Sequence, residues 1–181
     1  MSPSVDASTT PPGALRRALD ALYEGSAWLA ALFMVGLLAM VLLSIVSRQL
    51  HFHVPGTDAY AGYLMAASGF LALAHTFKRG EHIRVTLLLS ALKGRARRAL
   101  EIWALAAAAS LALLSAFYSA RLVWQSHAFN DISTGNDATP LWIPQLGMAL
   151  GTAVLALALV DELVLELRGR RHGADAASRS E

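Results

Sequence analysis

The sequence predicts an all-α integral membrane protein with four transmembrane helices and an amphipathic cytoplasmic interfacial helix between the second and third. Of its 181 residues, 55% are hydrophobic and only 15% are charged, whereas soluble domains carry about 25% charged residues. Four stretches of 19 to 23 residues contain no Asp, Glu, Lys or Arg: 25–47, 59–77, 102–120 and 138–160. Because about 20 apolar residues in a helix cross a bilayer, each stretch is long enough to span it.

The basic residues predict how these spans are oriented. Thirteen of the fifteen Lys and Arg residues precede the first span, separate the second from the third, or follow the fourth. The other two, Arg48 and Arg121, fall on the opposite side. The positive-inside rule assigns the thirteen to the cytoplasm, so we expect both termini there. The net charge of +2 is too small to suggest nucleic acid as a partner.

The first uncharged stretch follows Arg16 and Arg17, as the apolar core of a signal peptide would. It is longer than such a core and has no small-residue cleavage motif, so we interpret it as a retained helix. Residues 1–13, rich in Ser, Thr and Pro, are expected to form a disordered leader. Residues 172–181 are expected to form a tail, which leaves 14–171 as the transmembrane domain.

The two predicted outer loops carry signals for the starts of the spans that follow them. Pro55 and Gly56 form a turn signal, after which Thr57 or Asp58 can cap the second span. Pro140 and Pro144 lie at the start of the fourth span, where a backbone N–H would have no hydrogen-bond partner within the helix and its absence therefore does not destabilise the helix. Between them lies Trp142, an aromatic residue suited to the membrane interface. The fourth span is therefore expected to begin rigidly, with an aromatic anchor.

The segment 81–101 is predicted to be an amphipathic helix in the inner headgroup region. Within about 60° of one line on a helical wheel lie Val85, Leu88, Leu89, Leu92, Ala96, Ala99, Leu100 and Trp103, and the other side carries Lys93, Arg97 and Arg98. Gly94 interrupts this pattern and can mark a bend before the third span. In an alternative interpretation, the arginines of the segment only satisfy the positive-inside rule.

Small residues four apart indicate close helix packing in two of the spans. Gly147 and Gly151 lie in the fourth, and Gly62 and Ala66 lie in the second. Helices in lipid associate through close packing, so small residues mark contact faces. The pattern does not say which helix, of this chain or of a partner, lies against them.

The spans contain little that could carry chemistry. Every Asp, Glu, Lys and Arg lies outside the spans or at their edges, although transporters place ionisable groups near the membrane midplane. The chain has no cysteine and no defensible catalytic triad, so we expect no catalytic residue, metal or cofactor. A haem-bearing anchor of a respiratory complex is an alternative, but His75 has no second histidine within a span to face it. A small multidrug-type exporter would need an acidic residue inside a span.

Several motifs resemble a known family, the small membrane subunit of tripartite ATP-independent periplasmic (TRAP) transporters. Arg48 closes the first span as an arginine commonly does there, and Asp58 occupies a place usually taken by Glu. The segment 78–85, KRGEHIRV, is similar to the family's basic-Gly-x-His-Ile-Arg-Val run. Thr86 follows where the family usually has Asp, which leaves any role of that carboxylate open. The segment 139–144, TPLWIP, also matches.

The resemblance implies a non-enzymatic scaffold. In such systems a periplasmic binding protein captures an organic acid, and a large membrane subunit moves it using a sodium gradient. The small subunit supports the large one and helps to dock the binding protein, in a bacterial inner membrane. The expected partners are therefore the large TRAP subunit, the binding protein and membrane lipids. The substrate is not predicted, because specificity lies mainly in the other two components.

The residues expected at a partner or lipid interface are Arg48, Asp58, His82, Arg84, Pro140, Trp142, Pro144, Gly147 and Gly151. Arg48 and Asp58 could pair with each other or meet the binding protein, or could serve only helix capping and topology. His82 and Arg84 could bind lipid phosphate or clamp the segment to the large subunit, or Arg84 could simply reach the headgroups. Unchanged recovery of the large subunit with the His82→Ala/Arg84→Ala double variant would exclude the clamp.

Overall fold

The computed structural model describes residues 14–52, 54–78, 95–135 and 137–168 of the chain. Four helices account for most of them: α1 (Ala14–Gln49), α2 (Thr57–Lys78), α3 (Arg95–Ala128) and α4 (Trp142–Leu167). Within these described ranges there is no strand, only an isolated antiparallel bridge between Ile132 and Pro140. The prediction of an all-helical chain is therefore confirmed for this part of the protein.

Three of the four helices are long and apolar enough to cross a membrane, namely α1, α3 and α4. The remaining helix, α2, has 22 residues, or about 33 Å at the usual rise, which exceeds the roughly 30 Å of hydrocarbon. Its Gly, Ser, Thr and Tyr residues nevertheless keep its most apolar stretch below the hydropathy that the other three helices reach. The sequence prediction of four spans is thus confirmed for three helices.

The helices extend beyond the uncharged stretches from which they were predicted. α1 begins at Ala14 rather than near residue 25, because the turns containing Arg16, Arg17 and Asp20 continue into the apolar part without a break. α3 likewise includes 95–101, the end of the predicted amphipathic segment. The rest of that segment, with Gly94, lies outside the described residues, as do the leader 1–13 and the tail 172–181.

The start of α4 differs from the prediction. The uncharged stretch begins at Ala138, but the helix begins at Trp142. Ala138 has a φ of 46°, which is incompatible with a right-handed helix, and Pro140 is held in the bridge to Ile132. Pro140 therefore precedes the helix, whereas Pro144 lies in its first turn, where proline is tolerated.

The helices pack in the spatial order α1, α2, α4, α3. α2 packs against α1 on one side and α4 on the other, α4 also packs against α3, and α1 meets α4 in a smaller contact. α1 begins and α4 ends at what we call the terminal end of the bundle, and the α1–α2 and α3–α4 loops lie at the opposite loop end. Because α1 and α3 flank this row, much of their apolar surface is exposed, including Trp28, Trp103 and Trp124.

The buried contacts between helices use small side chains. One cluster joins Tyr23 of α1 to Ala74 of α2 and to Val154 and Ala158 of α4. A second cluster joins α3 to α4 through Ala109, Ala112, Ala156 and Leu159. Alanines allow the helix axes to approach closely, which strengthens packing in the absence of a hydrophobic driving force between spans.

Candidate functional site

Arg48 and Asp58 face each other across the α1–α2 loop. The loop turns at Gly56, whose φ of 82° is a left-handed conformation that glycine adopts without strain. Arg48 Nη2 lies 3.6 Å from Asp58 Oδ2, and the Ser44 hydroxyl donates a hydrogen bond of 3.2 Å to Asp58 Oδ1. The two charged side chains are 75% and 80% exposed, and such surface pairs contribute about 1 kcal/mol or less. Both groups therefore remain accessible to a partner.

The α3–α4 loop is folded onto the beginning of α2. Ser133 N donates to Thr139 O (2.9 Å) across the bridge. The Tyr63 hydroxyl of α2 lies 3.0 Å from Ser133 Oγ and 3.1 Å from Asp137 Oδ2, and the Thr139 hydroxyl lies 3.0 Å from Tyr60 Oη, within hydrogen-bond distance. We call this set of Tyr60, Tyr63, Ser133, Asp137 and Thr139 the hydroxyl cluster.

The hydroxyl cluster stabilises the charged form of Asp137. Hydrogen bonding to Thr139 and, to a lesser extent, to Ser133 and Tyr63 holds the pKa of the Asp137 carboxyl below its ordinary value. A Cβ at Gly56 would lie only 2.9 Å from Asp137 Cβ, so the α1–α2 turn also packs against this residue. The two loops at this end thus form one ordered surface, which no spacing in the sequence indicated beyond the turn at Gly56.

Trp142 anchors the start of α4 to the end of α3. Its indole makes an edge contact with the His127 ring, with centroids 5.4 Å apart. Pro144, two residues on, lines an apolar groove of about 440 Å³ between α1, α2 and α4. Its lining residues lie in the half of the bundle near the loops, whereas toward the other end Tyr23 of α1 packs against Val154 and Ala158 of α4.

Gly147 and Gly151 lie between α4 and α2 of this same chain. A Cβ at Gly147 would lie 2.7 Å from Ala67 Cβ, and a Cβ at Gly151 would lie 2.4 Å from the carbonyl carbon of Phe70. Their smallness is therefore required for packing within the chain. A further role of these two glycines at a partner interface stays a prediction.

The predicted site residues His82 and Arg84 lie outside the described residues. The described histidines are His51 just beyond α1, His75 in the last turn of α2 and His127 in the last turn of α3. His51 and His127 lie at the loop end and His75 lies at the terminal end, so no described histidine faces His75. The arrangement gives no support to the alternative of a haem held between helices.

A group of charged residues at the terminal end was not anticipated as a unit. Asp161 of α4 accepts hydrogen bonds from Arg16 of α1 (3.1 Å) and from Lys78 of α2. Lys78 also lies 3.4 Å from Glu162, and its ammonium is 5.3 Å from the centre of the Tyr23 ring. Only 15% to 17% of the Lys78, Asp161 and Glu162 side chains is exposed. This terminal cluster joins three helices where α1 and α4 converge.

The family comparison decides the identity of the protein. Residues 37–169, more than two thirds of the chain, match the family described as tripartite ATP-independent periplasmic transporters, DctQ component. The chain belongs to this family. The resemblance drawn from Arg48, the KRGEHIRV run and the TPLWIP segment is therefore confirmed, and the match includes all of α2, α3 and α4. A search of curated proteins found no match to this chain.

Membership establishes a coarse function. A DctQ protein is the small membrane subunit of a TRAP transporter, a component of a transport system rather than a member of an enzyme family. The transporters are tripartite, so a DctQ protein works with a large membrane subunit and a binding protein. Together with the three long apolar helices, this makes the chain a multi-pass membrane protein.

Proposed function

We propose that this DctQ protein is a scaffold subunit that supports the large membrane subunit of a sodium-driven transporter importing an organic acid. In this proposal α2 crosses the bilayer as the fourth span, and the terminal end faces the cytoplasm of a bacterial cell. The binding protein delivers the acid to the loop end. The sodium gradient and the substrate class are supported by the family resemblance, and the scaffold role is also supported by the exposed surface of α2.

The observation that carries the scaffold role is an open face of small residues on α2. Gly62, Ala66 and Gly69 are exposed along the same side of the helix, together with Met65. A Cβ built at Gly62 or at Gly69 meets no atom of the described residues within 4 Å. Glycines without such a contact leave space for the backbone of another helix, and close approach is how helices associate in lipid.

The composition of α2 supports the same conclusion independently. Its most apolar stretch is less hydrophobic than that of the other described helices, although its 22 residues are long enough to cross, and the described helices that pack against it, α1 and α4, leave a third side open. A helix of this composition is better suited to protein contact than to lipid contact on its third side. We therefore propose that the open α2 face, defined by Gly62, Ala66 and Gly69, receives a helix of the large subunit.

A bulky substitution on the open α2 face tests the proposal. The full tagged chain is extracted in mild detergent, and the large subunit recovered with it is quantified by mass spectrometry. Gly69→Leu is expected to lower this recovery about tenfold, because overpacking an interface costs about 1–3 kcal/mol. Ala120→Leu, on an exposed part of α3, is the matched control and should leave recovery unchanged.

Two results would contradict the proposal at different levels. Equal recovery with Gly69→Leu and Ala120→Leu would mean that the large subunit binds elsewhere on the chain. Failure of the unaltered chain to retain any polytopic partner would exclude the scaffold role itself.

Arg48 and Asp58 extend the proposed interface beyond the membrane. Asp58 lies one turn before Gly62 on the exposed side of α2, and its pair with Arg48 is open to solvent. We expect Asp58→Ala to reduce uptake of the transported acid while recovery of the large subunit stays normal, because docking of the binding protein would be weakened. Ser44→Ala, which removes only the hydroxyl that donates to Asp58, is the control. Normal uptake by Asp58→Ala would remove the docking role.

A further inference from the structure

Arg121 is a cation on an exposed part of α3 with no charged partner among the described residues. The other arginine near the loops, Arg48, is paired with Asp58. Arg121 by contrast forms no ion pair and no side-chain hydrogen bond within the described ranges. It lies about two turns from the end of the helix at Ala128. A guanidinium at this depth needs an anion or water to solvate it.

The surroundings of Arg121 are suited to an anion with several oxygens. A depression of about 420 Å³ at the seam of α3 and α4 is lined by Tyr118, Ser119, Arg121, Leu122, Gln125 and Met148. Tyr118, Arg121, Leu122 and Gln125 are three and four residues apart and share one helix face. The guanidinium has five N–H donors, and the neighbouring hydroxyls and amide add further donors. Such a set binds phosphate oxygens through charge-assisted hydrogen bonds.

The same face becomes apolar toward the middle of α3. Leu114 and Leu111, one and two turns below Tyr118, are 55% and 66% exposed. Trp124, about one turn beyond Arg121, is 75% exposed and occupies the position expected of an interfacial aromatic residue. Along about 20 Å of helix, the order is therefore aromatic, cationic and then aliphatic. A phospholipid has the matching order, with the phosphodiester at the interface and an acyl chain below it.

We propose that Arg121, Tyr118, Ser119 and Gln125 bind the phosphodiester of a phospholipid in the leaflet at the loop end, with an acyl chain lying along Leu122, Met148, Leu114 and Leu111. The lipid neutralises a guanidinium that has no ion pair among the described residues, and it fills the seam between α3 and α4. This site is separate from the open α2 face, and it does not depend on which end of the bundle faces the cytoplasm.

The test measures lipid binding to the full chain in mild detergent, purified with the subunits that accompany it. Phosphatidylglycerol, phosphatidylethanolamine and diacylglycerol with identical acyl chains are added to delipidated protein, and bound lipid is counted by native mass spectrometry. Arg121→Gln is expected to weaken binding of both phospholipids at one site about tenfold. Arg121→Lys keeps the positive charge, so its phospholipid binding should fall less than that of Arg121→Gln. Arg97→Gln, which removes a paired cation near the other end of α3, should bind lipid at this site as the unaltered chain does.

The outcomes separate the proposal from its alternatives. If Arg121→Gln binds both phospholipids more weakly, the phosphodiester is the recognised group. If it binds only phosphatidylglycerol more weakly, the site recognises the phosphodiester of an anionic lipid. The proposal is overturned if folded Arg121→Gln binds the phospholipids as well as Arg121→Lys does. It is also overturned if Arg121→Gln weakens the binding of diacylglycerol as strongly as it weakens the binding of the phospholipids. If Arg121→Gln loses the large subunit but keeps its lipid, Arg121 pairs with an acidic side chain of that subunit and the lipid site is wrong.

Discussion

At the scale of single residues, the tightest contact between helices is at Gly151. A side chain there would overlap the main chain of Phe70, with Cβ 2.4 Å from the carbonyl carbon and 2.5 Å from the oxygen. Backbone atoms within a helix cannot move aside without shifting the whole element, so α2 and α4 would have to separate. Gly147 makes the same kind of contact one turn earlier, against Ala67.

Gly151→Ala is therefore expected to destabilise the chain by about 1–3 kcal/mol through overpacking. Gly69→Ala is the matched control, because its Cβ meets nothing within 4 Å and alanine gains up to about 1 kcal/mol of helix propensity. Thermal unfolding of the isolated full chain in detergent, followed by helical circular dichroism, should give shifts of opposite sign. Equal midpoints for the two variants would contradict the packing assigned to Gly151.

At the scale of elements, the terminal cluster fixes where three helices converge. Asp161 accepts from both Arg16 and Lys78, and Arg98 of α3 donates to the last carbonyls of α4, at Glu166 and Leu167. A cation at the end of a helix also interacts favourably with the helix dipole. All four helices are thus tied together at this end, whereas α1 and α4 separate toward the loops.

Asp161→Asn should loosen this convergence. Removing one partner from a largely buried pair costs up to about 3–5 kcal/mol, because the remaining cations lose their neutralisation. Asp20→Asn is the control, since Asp20 meets the same Arg16 at 3.4 Å but is 55% exposed, and exposed pairs contribute about 1 kcal/mol or less. The unfolding midpoint in detergent measures both, and a change with Asp20→Asn as large as that with Asp161→Asn would contradict the role of the cluster.

At the scale of the whole molecule, four crossings would place the start of α1 and the end of α4 on one side of the membrane. The absence of native cysteine allows single cysteines to be introduced at exposed positions. Those at Leu50 and Ile132, in the two loops, should react with an impermeant maleimide added to cells with an opened outer membrane. Those at Ala14 and Arg168 should react only after the inner membrane is permeabilised. Reaction of just one of this second pair in intact cells would mean that α2 does not cross.

The sequence predicted the individual helices well, but it predicted the contacts between distant segments poorly. Uncharged runs located all four helices, since apolar character is a property of each segment alone. The start of α4 was missed because it depends on a bridge from Pro140 to Ile132 in another part of the loop. The hydroxyl cluster was also missed, because Tyr63 and Asp137 are 74 positions apart and no periodicity connects them.

By itself the sequence determined the helical membrane character of this protein, the grouping of its charges at helix ends and, through short motifs, its family. These follow from local hydrophobicity and from residues close together along the chain. Only the tertiary structure decided that Gly147 and Gly151 pack inside the chain while Gly62 and Gly69 face outward. It also decided that Arg48 is paired, whereas Arg121 has no ion pair with any described residue. Which small residue or charge has a neighbour depends on how the helices pack side by side, and in lipid that arrangement is set by steric fit between whole surfaces.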